Sequence, residues 1–306
     1  MLHGLLIIHK ERGSTSHQVI ARLRKILKQS RIGHTGTLDP EATGVLVVGL
    51  GEATRSFQFL EEHTKEYRAQ IILGQVTDTQ DATGKVLEEA PEMRISREEV
   101  DRAVTAFLGP VTQLPPMYSA VKVKGQKLYE LARQGREIDR RSRTVTVFEW
   151  KVSHNGSSYG FKDSFFATIT CSKGTYIRTL VHDLGKRLGC GAHLGELVRT
   201  RSGNFSLENA LTLSQVEKAY QAGTLTDHLV SLTAALPQLP TLRPDAGDLA
   251  KLANGGKLSY QKYELPVGPD GLAKALDSSL RLVAILELKD TGARRYWQPV
   301  KVFQYQ

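Results

Sequence analysis

Gly33-His34-Thr35-Gly36-Thr37-Leu38-Asp39-Pro40-Glu41-Ala42-Thr43-Gly44 is the stretch on which the fold and the chemistry of this chain turn. Its three glycines permit tight turns or close approach of a ligand, and Pro40 disfavours the α conformation at Asp39. The carboxylate is therefore expected on an extended, presented loop and not within a helix. An isolated Asp-Pro pair more often does no more than stabilise its own turn. The flanking sequence has to decide.

Upstream, Leu5-Leu6-Ile7-Ile8 reads as a buried strand, and Gly13-Ser14-Thr15-Ser16 supplies the turn and cap for a helix over Gln18 to Lys28. The apolar stripe of that helix is Val19, Ile20, Leu23, Ile26 and Leu27. Arg22, Arg24, Lys25 and Lys28 fall mostly off the stripe, as a solvated face or as one that meets phosphates. Downstream, Val45 to Gly49 reads as a strand, Ala53 to Leu60 as a helix and Tyr67 to Leu73 as a strand ending at Gly74. Ser96-Arg97-Glu98-Glu99 is a capping box for a helix through Val100, Val104 and Phe107, stopped by Gly109-Pro110. Leu114-Pro115-Pro116-Met117 breaks regular structure. A short strand over Tyr118 to Val123 and a short helix over Leu128 to Arg133 are expected after it. Residues 115–143, dense in Lys and Arg, read as a basic excursion from the core. Thr144 to Phe148 and Phe165 to Cys171 are β-rich, and Tyr176 to Leu188 has helical spacing.

These elements predict an α+β fold. A helix near Leu213 to Tyr220 precedes Leu236-Pro237-Gln238-Leu239-Pro240, whose composition is that of a linker. The boundary falls there, giving domains 1–236 and 237–306. Beyond it, a helix around Leu249 to Leu252 and strands at Leu280 to Leu286 and Val300 to Phe303 suit a small β-barrel.

With 306 residues, two domains are a natural expectation. Lys and Arg number 41 against 32 Asp and Glu; the net charge of +9 favours polyanionic partners. Cys171 and Cys190 are too few for a disulfide framework and are expected as free thiols in a reducing cytoplasm. The start of the chain lacks a basic leader, and the longest apolar runs fall far short of a membrane span, so a soluble protein with no membrane association is expected. Several tempting motifs fail on register. Gly49-Leu50-Gly51-Glu52-Ala53-Thr54 has Thr54 where a dinucleotide loop needs its third glycine. His182, Cys190 and His193 lack a clear fourth zinc ligand. Asp78 and Asp81 do not fit a calcium loop and more simply organise a turn. Asp39 and Glu41 are too close in the chain to flank a glycosidic bond as a hydrolase pair.

The Gly33 to Gly44 stretch is similar to the G-H-x-G-x-L-D-P-x-A-x-G signature of bacterial tRNA pseudouridine-55 synthases, the TruB family of pseudouridine synthases. Further segments follow in that family's order: Lys65-Glu66-Tyr67-Arg68, Gly74-Gln75-Val76-Thr77-Asp78-Thr79 with Asp81, Pro115 to Lys122, and Cys171-Ser172-Lys173-Gly174-Thr175-Tyr176-Ile177-Arg178-Thr179. The resemblance spans about residues 3–215 and is looser in the tail.

It implies a mixed and antiparallel sheet flanked by helices, a basic thumb at 115–143, and a C-terminal PUA-like RNA-binding barrel. It implies Asp39 as the catalytic residue, Tyr67 packing on the target base, Tyr176 lining the pocket, and Arg178 pairing with the catalytic Asp. Leu197 resembles an apolar wall and His34 the histidine that fills space left by flipped nucleotides. Arg55 falls where the family has a basic residue near substrate. The implied partner is the T-arm of tRNA, with no cofactor, no metal and no protein partner, and the chain a cytoplasmic monomer. Two other readings stay open: a non-catalytic RNA-binding or tRNA-folding module, and a guide-RNA-dependent relative. Tyr176 and Arg178 stand two apart, so an extended backbone would aim both into one pocket and a helical one would separate them.

Overall fold

The computed structural model describes residues 1–60, 64–119, 122–123, 126–128, 131, 134–136, 138–266, 268–292 and 294–305. In chain order its principal elements are β1 (Gly4–Lys10), α1 (Ser16–Ile26), β2 (Ile32–His34), β3 (Thr43–Leu50), β4 (Thr64–Leu73), α2 (Arg97–Thr105), β5 (Gly109–Gln113), β6 (Arg143–Ser153), β7 (Ser164–Ser172), α3 (Ile177–Leu188), β8 (Ala192–Ser202), α4 (Leu213–Gln221), β9 (Thr241–Leu242), α5 (Ala246–Ala253), β10 (Leu258–Ser259), β11 (Leu272–Leu276), β12 (Leu282–Asp290) and β13 (Arg295–Val302). They form two compact units: Met1–Pro40 with Leu46–Glu61 and Glu208–Gln306, and Glu41–Val45 with Glu62–Leu207.

In the second unit, burial along β4 alternates with period two: Lys65, Tyr67, Ala69, Ile71 and Leu73 are buried, and the residues between them are not. That is the pattern of a strand with one face on a core. Its antiparallel neighbours are β8 and β7, and β6 and β5 complete the order β8-β4-β7-β6-β5. Thr43 and Gly44 pair in parallel with Val198 and Arg199, so the sheet is mixed. Helix α2 has the expected capping box, with Ser96 and Glu99 bonded reciprocally. It packs with α3, whose buried face is Ile177, Arg178, Leu180, Val181 and Leu184.

In the first unit, the stripe on α1 meets β1, β2, β3 and α4 in one core that includes Leu6, Ile8, Val19, Leu23, Ile32, Leu46, Val48, Leu213 and Val216. The C-terminal strands form a five-stranded half-barrel in the order β9-β11-β12-β13-β10. Its own core contains Leu242, Leu252, Leu258, Ala273, Ala284, Leu286 and fully buried Trp297. The Pro-punctuated stretch before it is bonded on both sides. Buried Lys274 donates to the carbonyls of Leu236 at 2.7 Å and Thr233 at 3.1 Å, and Gln238 donates to that of Phe59 at 3.0 Å.

The helix expected over Ala53 to Leu60 is instead two short 3-10 turns, Gly51–Arg55 and Phe57–Phe59. The hydroxyls of Thr54 and Ser56 each bond the carbonyl three residues back, which favours the tighter turn over a continued α-helix. In the basic excursion, Lys122–Val123 pairs with Gln126–Lys127 and Arg140 donates to the Pro115 carbonyl at 2.9 Å. Ala120 and Val121 of the expected strand, and Tyr129, Glu130, Ala132 and Arg133 of the expected helix, lie outside the described residues.

Candidate active site

Asp39 sits on the loop between β2 and β3, half-buried and outside any helix, as Pro40 requires. The strands at its base are in register, His34 opposite Val48 and Gly33 opposite Gly49. Both residues beside Asp39 are anchored through their backbones. Buried Ser16 accepts from the Leu38 N–H at 2.9 Å and donates to the Leu38 carbonyl at 3.1 Å. The Pro40 carbonyl accepts from the Lys10 ammonium and from the Gly13 N–H, each at 3.0 Å. Lys10 is 1% exposed, and burying an ammonium is costly unless it is fully bonded, so its position is tightly set. The backbone on either side of Asp39 is therefore held, a preorganisation of the kind that chemistry on a bound substrate needs.

His34 stacks edge-on with His17 at the start of α1, ring centroids 5.7 Å apart and planes at 81°. Arg55 donates to the buried Glu52 carboxylate at 3.1 Å, and Glu52 also pairs with Arg31 and accepts from the Gln304 N–H. Arg55 thus takes part in a cluster that secures the C-terminal strand end, an arrangement the local sequence did not announce.

In the second unit, Tyr67 on β4 lies between Ile169 of β7 and Arg199 of β8, and Leu197 is paired with Ala69. Directly opposed residues of antiparallel strands share a face, so Tyr67, Leu197 and Arg199 lie on one side of the sheet. The structure brings these three together. Arg199 is 2% exposed and donates from Nε to the Val45 carbonyl at 2.7 Å. Tyr176 caps α3, and its peptide is gripped from both directions by one amide. Buried Gln113 accepts from the Tyr176 N–H at 3.0 Å and donates to the Tyr176 carbonyl at 3.1 Å. The guanidinium of Arg143, opposite Gln113 on the neighbouring strand, lies 4.4 Å from the centre of the Tyr176 ring.

Arg178 is the second residue of α3, so it and Tyr176 do not share one extended run. It is buried, 5% exposed, and so is no solvated charge on the helix surface. It donates to the carbonyls of Tyr118 at 2.7 Å and Thr79 at 3.1 Å and lies 3.6 Å from the Asp81 carboxylate. Asp78 and Asp81 organise the turn before it, accepting from the backbone of Lys85 and Thr83. Gln113, Arg143, Arg199, Ser16 and Lys10 were not singled out for the site by the sequence. Each acts across a gap in the chain that no local pattern spans; the segments containing Arg199 and Ser16 were noted only for Leu197 and for a helix cap.

The mixed sheet with its flanking helices and the C-terminal half-barrel match the fold of pseudouridine synthases. A solved structure of an H/ACA RNP bound to a substrate RNA containing 2'-deoxyuridine includes a chain of this fold. It matches with a TM-score of 0.71 at 26% identity, covering 99% of this chain and 86% of that one. The chain belongs to the TruB family. Residues 24–177 match the TruB family pseudouridylate synthase N-terminal domain, and residues 178–237 match the tRNA pseudouridylate synthase B C-terminal domain. A tRNA pseudouridine synthase B of Bacillus pumilus is 44% identical over 303 residues, 99% of this chain and 98% of that protein. One from Bacillus thuringiensis strain Al Hakam is 42% identical over 288 residues, 94% of this chain and 92% of that protein.

Proposed function

We propose that this chain isomerises one uridine in the T-arm loop of tRNA, position 55 of the tRNA, to pseudouridine, with Asp39 as the essential carboxylate. The observation that carries the reading is the Asp39 loop itself, held at Leu38 and Pro40, in a chain 44% identical to a tRNA pseudouridine synthase B along nearly its whole length. The reaction breaks the bond from ribose C1' to uracil N1, turns the base, and rejoins it through C5; nothing is added or lost. A uridine in a folded loop must first leave the stack, at a cost of a few kcal/mol, which stacking on Tyr67 and filling of the vacated space by His34 offset. The Asp39 carboxylate attacks ribose C1' and displaces uracil, to be displaced in turn when C5 rejoins, or abstracts a ribose proton and returns it. Tyr176 and Leu197 line the pocket that keeps the freed uracil captive, and Arg178 pairs with the carboxylate. Arg55 stands near the substrate backbone.

Residues 115–143 act as the thumb on the T-arm, and residues 237–306 as a PUA-like RNA-binding domain. No cofactor or metal takes part, and the chain works as a cytoplasmic monomer without a protein partner. No helix among the described residues is long and apolar enough to cross a membrane.

Likeness to a chain of an H/ACA RNP favours a second reading, in which a guide RNA selects the uridine. The higher identity to tRNA pseudouridine synthase B over nearly the full length supports action without a guide. Purified protein is expected to convert a single uridine in a bare tRNA transcript, mapped by mass spectrometry. Absence of product until a guide RNA is added would reverse the choice.

A further inference from the structure

The outward face of α1 and the turn that follows it have positive charge that no carboxylate among the described residues neutralises. From Arg12 to Leu38 the chain contains no Asp or Glu, yet it contains Arg12, Arg22, Arg24, Lys25, Lys28 and Arg31. Arg31 is committed to Glu52 and Arg24 to the Ile32 carbonyl at 2.9 Å, and Arg12 lies before the helix and is no part of its outward face. Arg22, Lys25 and Lys28 are exposed and, among the described residues, have neither an ion pair nor a side-chain hydrogen bond. A surface helix stabilised for its own sake would interleave acids three or four positions from these cations; here like charges are left to repel one another. At the N-terminal end of the same exposed face, His17 contacts the His34 ring, five residues before Asp39. From His17 to Lys25 the helix rises about 12 Å, so the cations extend from the candidate site along α1 and into the turn after it, where Lys28 stands.

We infer that Arg22, Lys25 and Lys28 form a contact surface for the phosphate backbone of the RNA substrate, continuous with the Asp39 loop through His17 and His34. The inference rests on the reading of the chain as acting on tRNA. An anionic membrane is a poorer occupant: Val19, Ile20 and Leu23 are committed to the core, which leaves no apolar face to insert between lipids.

The test compares wild type, R22Q/K25Q/K28Q and the charge-preserving R22K/K25R/K28R on a full-length tRNA transcript across a salt series. The neutralised variant should bind about tenfold or more weakly, with the slope of log affinity against log salt smaller by about 2. Its turnover at saturating RNA should stay within about twofold of wild type, and the charge-preserving variant should bind like wild type. An unchanged slope in a neutralised variant that melts like wild type overturns the inference. So does unchanged RNA affinity with lost sedimentation on phosphatidylserine vesicles. If the wild type binds RNA with the expected slope and forms no pseudouridine, the catalytic reading fails while the surface stands.

Discussion

Cys171 shows how little of a residue's chemistry is visible in its neighbours along the chain. It is fully buried on β7, opposite Lys65 of β4, and burial pushes its thiol up to about 11. A thiol raised above its unfolded value of about 8.5 stabilises the fold below that pH and loses the contribution as pH rises towards 11. The stability difference between wild type and Cys171→Ala, from urea titration, should therefore shrink by about 2 kcal/mol between about pH 7.5 and about pH 10.5. A constant difference would contradict the buried environment. The free thiols expected from the count of two cysteines are what the structure has. The places of Tyr67 on a strand and of Asp39 on a non-helical loop were legible because each lies in a local pattern, an alternating strand and a Gly/Pro loop; the roles expected of them came from the family resemblance. The support of the Asp39 loop by Ser16 and Lys10 was not legible: a hydroxyl 22 residues from Leu38 and an ammonium 30 from Pro40 leave no spacing to read.

At the scale of elements, the strand and helix faces followed their periodicity, as on β4 and α1, while the segment after β3 did not. There, side-chain hydroxyls and Gly51 at positive φ outweighed a weak helical pattern. The i, i+2 relation of Tyr176 and Arg178 left an extended and a helical outcome open, and the structure has the helical one: α3 begins between them, and Gln113, 63 residues distant, sets the Tyr176 peptide. Gly44 marks where the loop returns to the sheet. With φ at +104°, its backbone lies so close to β8 that an added Cβ would come within 2.2 Å of the Arg199 carbonyl oxygen and 2.7 Å of its nitrogen. Both are backbone atoms and neither has room to yield. Gly44→Ala should lower stability by about 3 kcal/mol, read from the chemical-denaturation midpoint. A loss under about 1 kcal/mol would show that the strands separate more easily than this packing implies.

Across the whole molecule, net charge predicted a polyanionic partner but not where it would lie. The cations off the apolar stripe of α1 were legible in the sequence as a solvated or a phosphate-meeting face; the structure adds that the stripe lies in a core and that Arg22, Lys25 and Lys28 have no ion pair among the described residues. The central claim is narrower: one carboxylate, presented by an anchored loop, is required for breaking the bond from sugar to base. Asp39→Asn preserves shape and removes the charge. On a T-arm stem-loop, the account predicts that pseudouridine formation by this variant falls below detection while binding stays within about tenfold of wild type. Turnover retained at a rate near wild type would contradict it.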